Sequence, residues 1–382
     1  MLSRRNIVAL DGIRGLAIVA VMFNHFTPPE AGGFLRQLIR LGFTQGWVGV
    51  DLFFVLSGFL ISGILLDTRE CTNYFSSFYS RRALRIFPLY YGFLLFAWLV
   101  FPHIVEPTWL PIRADWWLYP TYLSNWHALW KDVWHANVVG HFWSLAVEEQ
   151  FYLVWPLMLL VVPPRRLLGV LACLEIAIVV VRGWWVWQHG PSLPIYFATV
   201  TRMDGLLLGA ACAVVARQFR VPGLMVKGMP WFSAACLAAF GAALLIGGDA
   251  AGPAFTQTAG WPLLAMGFGA LVLYTVLMDS ERTPLNTFLR WKPLTRIGKY
   301  AYGMYVFHVP LFYFTGKLAV HAPAAIRSAF WFRYSTMILE SCLAFAIASL
   351  SYNYFEKRFL ALKGRFEPEN PPAAAHASPS LR

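Results

Sequence analysis

About ten stretches of mainly apolar sequence, each near the length of a bilayer crossing, constrain this 382-residue chain more than anything else in it. A helix crossing a hydrocarbon core of about 30 Å needs roughly 20 predominantly apolar residues. Cutting the chain at its polar and Pro/Gly-rich punctuation predicts spans over 7–27, 47–67, 87–106, 142–162, 167–187, 195–216, 230–248, 260–279, 300–320 and 334–356. The composition agrees with a chain dissolved in lipid: 58% of residues are apolar and 13% charged, against roughly 45–50% and about 25% in soluble domains.

The expected fold is therefore all-α, a polytopic integral membrane protein with about ten transmembrane helices. The net charge of +12 is not read as a nucleic-acid signal, because basic residues of a membrane protein concentrate in its cytoplasmic loops. With a cytoplasmic N-terminus, 21 of the 31 Lys and Arg residues fall in inner segments, which places both termini in the cytoplasm. Residues 1–360 form one integral-membrane domain, and the Pro/Ala-rich tail 361–382 is expected to be disordered. The five cysteines lie far apart with no C-x-x-C spacing, so neither a disulfide framework nor a metal site is expected. No small-x-small cleavage pattern follows the first apolar run, which reads as a retained helix. The outer segment 106–141, with Trp109, Trp116, Trp117, Trp126, Trp130 and Trp134, is expected to lie along the membrane interface.

Ionisable residues inside spans are costly and mark functional sites. The first helix carries Asp11, Arg14 and His25. Arg14 and His25 are close to three full turns apart, hence on one face about 16 Å apart along the axis. Asp51 lies near the outer end of the second helix, Glu148 and Glu149 a turn or two below the outer surface in the fourth, and Arg202 and Asp204 in the sixth. His25, Asp51, Glu148 and Arg202 thus share a depth, which predicts an outward-opening cavity. On the inner side Arg82 and Arg85 stand just before the third span on one helical face, and paired guanidinium forks suit phosphate oxygens. His308, beside Tyr302 and Tyr305 in the ninth helix, is a further cavity candidate. The plainer explanation of each residue alone is a buried ion pair, a satisfied core histidine or ordinary inner-loop charge.

A phosphate-binding inner mouth, a polar stripe and an outer histidine–carboxylate cluster fit a long anionic cytoplasmic ligand whose reactive end must reach the other side. Acyl-CoA has that shape. His25 would act as general base toward an acceptor hydroxyl, with Glu148 orienting it.

LDGIRGLAIVAVMFNHF, GWVGVDLFFVLSGFLISGILL, Arg82-x-x-Arg85, HFWSLAVEEQFYLVWP, RMDGLLLGA and IGKYAYGMYVFHVP, in this order, resemble the membrane-bound acyltransferase family 3 over essentially the whole chain to about residue 360. The resemblance implies a bacterial inner-membrane enzyme of ten to eleven helices that moves acetyl or other short acyl groups from cytoplasmic acyl-CoA to hydroxyls of carbohydrate acceptors, surface polysaccharide, lipopolysaccharide or related glycolipid, and sometimes of macrolides. It further implies His25 as the essential histidine, Arg14 as its donor-end partner, Arg82 and Arg85 as the coenzyme pair, and Glu148 as the acid that follows Trp143 and Ser144. Glu149 stands where many relatives have an aromatic residue, and Ala301 replaces a common serine. Some relatives carry a fused esterase-like domain, for which this chain is expected to have no room. Membrane lipid is the surrounding partner, and a homo-oligomer stays open. The competing classes are a transporter or flippase of glycan intermediates, for which no internal repeat is found, and an inactive scaffold.

Overall fold

The computed structural model describes residues 7–25, 44–111, 113–131, 137–323, 326 and 330–370, and they are helical with no strand among them. Ten long helices carry the fold: α1 (Val8–Asn24), α2 (Val48–Asp67), α3 (Tyr74–Ile104), α4 (Trp143–Val161), α5 (Leu167–His189), α6 (Asp204–Gln218), α7 (Gly223–Phe255), α8 (Trp261–Leu277), α9 (Lys292–Ala319) and α10 (Phe330–Ser351). Each predicted span overlaps one of them. Seven helical segments among the described residues are long and apolar enough to cross a membrane. α1 and α6, at 17 and 15 residues, are about 25 Å and 22 Å long at 1.5 Å per residue, and α9 begins with Lys292, Arg296 and Lys299. Residues 26–27 of the first predicted span lie outside the described residues.

The helices that build the interior approach at glycines. A methyl group on Gly298 would overlap the Asp11 carbonyl, and one on Gly58 the Leu206 carbonyl, so α9 lies backbone to backbone on α1, and α6 on α2. α2 also packs on α4 and α8, and α9 on α10. Outside this bundle, Leu95, Trp98 and Leu99 of α3, Leu153 and Leu157 of α4 and Ile176 and Val180 of α5 are exposed, as expected for helix faces solvated by lipid tails rather than water.

Three expectations need correction. The third helix starts at Tyr74, so Arg82 and Arg85 stand inside α3 and not before it, and Pro88 is an interior residue of that helix. The predicted sixth span is interrupted: a short helix Leu193–Phe197 and a 3₁₀ turn Thr199–Arg202 precede α6, with Ala198 extended between them. Arg182 of α5 answers the carbonyl freed by that break, donating to Thr201 O at 2.8 Å. The expected disordered tail is folded over its first part. Lys357–Ala361 is helical, Leu362–Phe366 is a 3₁₀ turn, and Asn73 donates to Glu367 O at 2.8 Å. Hydrogen bonds to the start of α3 supply the ordering that the tail's own apolar content does not; residues 371–382 lie outside the described residues.

Part of the Trp-rich segment 106–141 is built into the fold. Val138, Val139 and Asn125 are buried within it, Trp109 packs on Tyr313 at 5.1 Å, and Trp126 donates to Gln150 at 2.9 Å. Trp134 lies outside the described residues.

Candidate active site

Two abutting cavities run through the bundle. The first, about 150 Å³, is lined by Arg14 of α1, Ser57 of α2, Arg82 and Arg85 of α3, Ser144, Glu148 and Tyr152 of α4, and Tyr302 and Tyr305 of α9. The second, about 330 Å³, is lined by Asn24 and His25 at the end of α1, Trp47, Trp109, His141, Trp143, Tyr196, and Tyr305 and His308 of α9. Val50 and Tyr305 line both. The division follows from helix geometry, since Arg14 and His25 project from one stripe of α1 at different heights.

Positive charge dominates the first cavity. Arg14 is ion-paired with Asp11 one turn earlier, a neutralisation that also fixes the guanidinium's direction. The Arg82 guanidinium lies 4.7 Å over the Tyr152 ring, a cation–π placement, and the Tyr152 hydroxyl is hydrogen-bonded to Ser57. Glu148, not Glu149, lines this cavity, beside Ser57 and Tyr152 and within Coulombic reach of Arg82 and Arg14. Of the two adjacent acids, then, Glu148 lines the cavity, while Glu149 acts on Arg82 from outside it.

Imidazoles dominate the second cavity. His308 stands between two other histidines, its ring centroid 4.9 Å from that of His25 and 4.8 Å from that of His141. Its Nδ1 lies 2.7 Å from the Tyr305 carbonyl oxygen. A carbonyl only accepts, so Nδ1 carries the proton and Nε2 keeps its lone pair. Trp47, Trp109, Trp143 and Tyr196 supply aromatic wall, and Asn24 and Asn137 amide groups.

Between the cavities stands a thin partition. The Tyr305 hydroxyl is 2.5 Å from Ser144 Oγ and donates to the His141 carbonyl oxygen at 2.6 Å. This one phenol ties α9 to α4 and to the 3₁₀ turn Gly140–Phe142 that precedes it.

Four residues expected at the site sit elsewhere or in a different role. Asp51 does not line either cavity; it forms an ion pair of 3.1 Å with Arg202, whose guanidinium lies 4.2 Å over Trp261 and 4.9 Å over Tyr196. Asp204 receives both terminal nitrogens of Arg182, at 2.6 and 2.8 Å. Depth alone suggested convergence, but residues at one depth on different helices point into different interfaces, and each charge here is met by a partner on a neighbouring element. Glu148 belongs to the arginine cavity, away from the position expected for a carboxylate orienting His25. His141 and Arg182 were not singled out in the sequence. The first sits in the HFWSL segment, and the second was hidden among the Trp residues of α5.

The family model for the acyltransferase domain matches residues 7–351 of the chain. The chain belongs to membrane-bound acyltransferase family 3. Among curated relatives of this family member, the peptidoglycan O-acetyltransferase OatA of Listeria monocytogenes is 30% identical, over 93% of this chain and 56% of that protein. The putative peptidoglycan O-acetyltransferase YrhL of Bacillus subtilis is 29% identical, over 92% and 55%, and the O-acetyltransferase OatA of Staphylococcus aureus 27%, over 93% and 57%. The chain thus spans about half the length of the curated relatives it matches. No solved structure matches it. Its several long apolar helices together with this family membership make it a multi-pass membrane protein.

Proposed function

We propose that this protein is an O-acetyltransferase of the bacterial inner membrane, moving an acetyl group from cytoplasmic acyl-CoA to a hydroxyl of a glycan on the outer side. Peptidoglycan is the favoured acceptor class, since relatives matched along nearly all of this chain carry that acceptor in their names. The observation that carries the reading is the pair of abutting cavities, arginines in one and histidines in the other, meeting at Tyr305. In this reading ten helices cross the membrane with both termini in the cytoplasm, the arginine cavity faces inward and the histidine cavity outward.

The donor's phosphates rest on Arg82 and Arg85, which present ten N–H groups in rigid forks. Its pantetheine arm passes Arg14 and Ser144, and the thioester meets the partition at Tyr305. His25 removes the proton from the acceptor hydroxyl as its oxygen attacks the thioester carbonyl. The carbon–sulfur bond then breaks, leaving an ester on the acceptor and coenzyme A thiolate, which takes up a proton. His308 replaces Glu148 as the group that orients His25, because its Nε2 lone pair is free to accept a hydrogen bond from a neighbouring ring N–H. The aromatic wall of the outer cavity offers flat faces to the apolar side of a sugar ring. Glu148 holds Arg82 and Arg14 in place for the donor, and no metal is called on.

His25→Ala, reconstituted in lipid and supplied with labelled acetyl-CoA, should lose at least 100-fold in transfer, the lower end of general-base contributions, while inserting normally. Transfer at the wild-type rate would remove His25 as the base. Cysteine-labelling of single-cysteine variants should reach position 25 from outside and position 82 from inside; the reverse pattern would overturn the orientation.

A further inference from the structure

Beyond the end of the family match at residue 351, the chain turns back as a strap across the start of α3. Ser77 Oγ donates to Phe366 O at 2.9 Å, Asn73 Nδ2 to Glu367 O at 2.8 Å, Glu369 N to Asn73 Oδ1 at 2.9 Å and Thr72 N to Glu369 O at 3.0 Å. These bonds fix backbone, so they place whatever side chains the strap carries. One of those is Lys363. Its carbonyl oxygen lies 3.5 Å from Arg81 Nη1, and its ammonium is within Coulombic reach of Arg85, Arg82 and Arg81.

Four cations held in one place repel one another. The nearby carboxylates answer only part of this charge: Glu148 and Glu149 act on Arg82, and Glu356 on Arg85, and of the three only Glu148 lines the cavity. Lys363 and Arg81 do not line the cavity. The strap's bonds hold them together beside the first turns of α3, next to the two arginines that do. Arginine forks suit the bridging geometry of a pyrophosphate, whereas lysine meets phosphate as a point charge. Coenzyme A offers both, a pyrophosphate next to the pantetheine arm and a terminal 3′-phosphate on the ribose beyond it.

We propose that Lys363 binds the ribose 3′-phosphate of the acyl-CoA donor, so that the strap completes the donor site from outside the helical bundle. This rests on the reading of the arginine cavity as the donor site. It makes the donor site a contact between two distant parts of the chain, the head of α3 and the segment after α10.

The test uses the full chain in nanodiscs of phosphatidylcholine alone, with acetyl-CoA and 3′-dephospho-acetyl-CoA as alternative donors. Lys363→Ala and Lys363→Met should each raise KM for acetyl-CoA roughly tenfold, the worth of one charge-assisted hydrogen bond, with kcat nearly unchanged. KM for the dephospho donor should not move, and Lys363→Arg should retain most of the wild-type value. Equal weakening of both donors, no weakening of either, or an effect that appears only when anionic lipid is added would overturn the proposal, the last by assigning Lys363 to lipid headgroups. Arg82→Ala with Arg85→Ala separates the two levels: it should weaken both donors, and failure to weaken either would sink the donor reading itself.

Discussion

The two cavities differ in how their polar groups are held, and the difference maps onto what each is asked to do. In the arginine cavity charge is answered by charge or by a ring face: Arg14 by Asp11, Arg82 by the Tyr152 ring. Such groups keep their charge in a bilayer and are suited to gripping an anion without changing state. In the histidine cavity three imidazoles stand in a row with centroids 4.8–4.9 Å apart, His141 edge to face with His308 and His25 tilted against it, and His308 is hydrogen-bonded to a backbone carbonyl. Among the described residues that line that cavity the titratable groups are imidazoles and phenols. A membrane enzyme that holds a charged donor on one side and abstracts a proton on the other needs this segregation, because guanidinium groups beside a general base would disfavour its protonated form.

The comparison can be broken by kinetics that fail to separate. The largest effect is expected from Arg82→Ala with Arg85→Ala, which should raise KM for acetyl-CoA on the order of 100-fold or more, two charge-assisted contacts being lost, while acceptor KM stays within about twofold. Unchanged donor affinity would reduce those arginines to topology signals. Next in size is Asp204→Asn, which strips the buried Arg182 of its counter-charge. A loss of about 3–5 kcal/mol in stability is expected, read as a lower unfolding midpoint in detergent, with KM for both substrates unaffected in the protein that remains folded. A selective change in donor KM would mean that this pair is coupled to the site after all. The smallest, and the most useful for sharpening the contrast, is His308→Phe: kcat should fall by about tenfold with donor KM unchanged, on the view that an orienting partner contributes less than the base it orients. A fall in donor affinity instead would erase the distinction between the cavities.

Much of this was readable in advance, and what was not has a common cause. Among the described residues hydropathy located every long helix, seven segments of which have the length and apolar composition that a membrane crossing imposes. The Arg14-to-His25 stripe was readable because helical phase is set by residue number alone. Partners across helices were not. Asp51 and Asp204 looked like cavity residues by depth, yet their fates were set by which neighbouring element carried Arg202 and Arg182. Glu148 was placed on the right helix and given the wrong neighbour, since rotation of α4 about its own axis leaves no mark in the sequence. The broken sixth helix and the folded strap escaped for a related reason. Both are stabilised by hydrogen bonds from residues distant in the sequence, Arg182 to Thr201 in one case and Asn73 and Ser77 to Glu367 and Phe366 in the other, and neither has an apolar pattern of its own.

Backbone contact at Gly298 and Gly58 leaves the helices around the two cavities little room to part. Under the proposed function, passage of an acyl group then falls to the rotation of a side chain and not to rocking of one half of the protein against the other, so turnover should require neither an ion gradient nor a membrane voltage. On the same reading the two cavities are parted where the Tyr305 phenol is hydrogen-bonded to Ser144. Keeping protons from leaking and the thioester from being hydrolysed would then depend on how quickly Tyr305 swings shut.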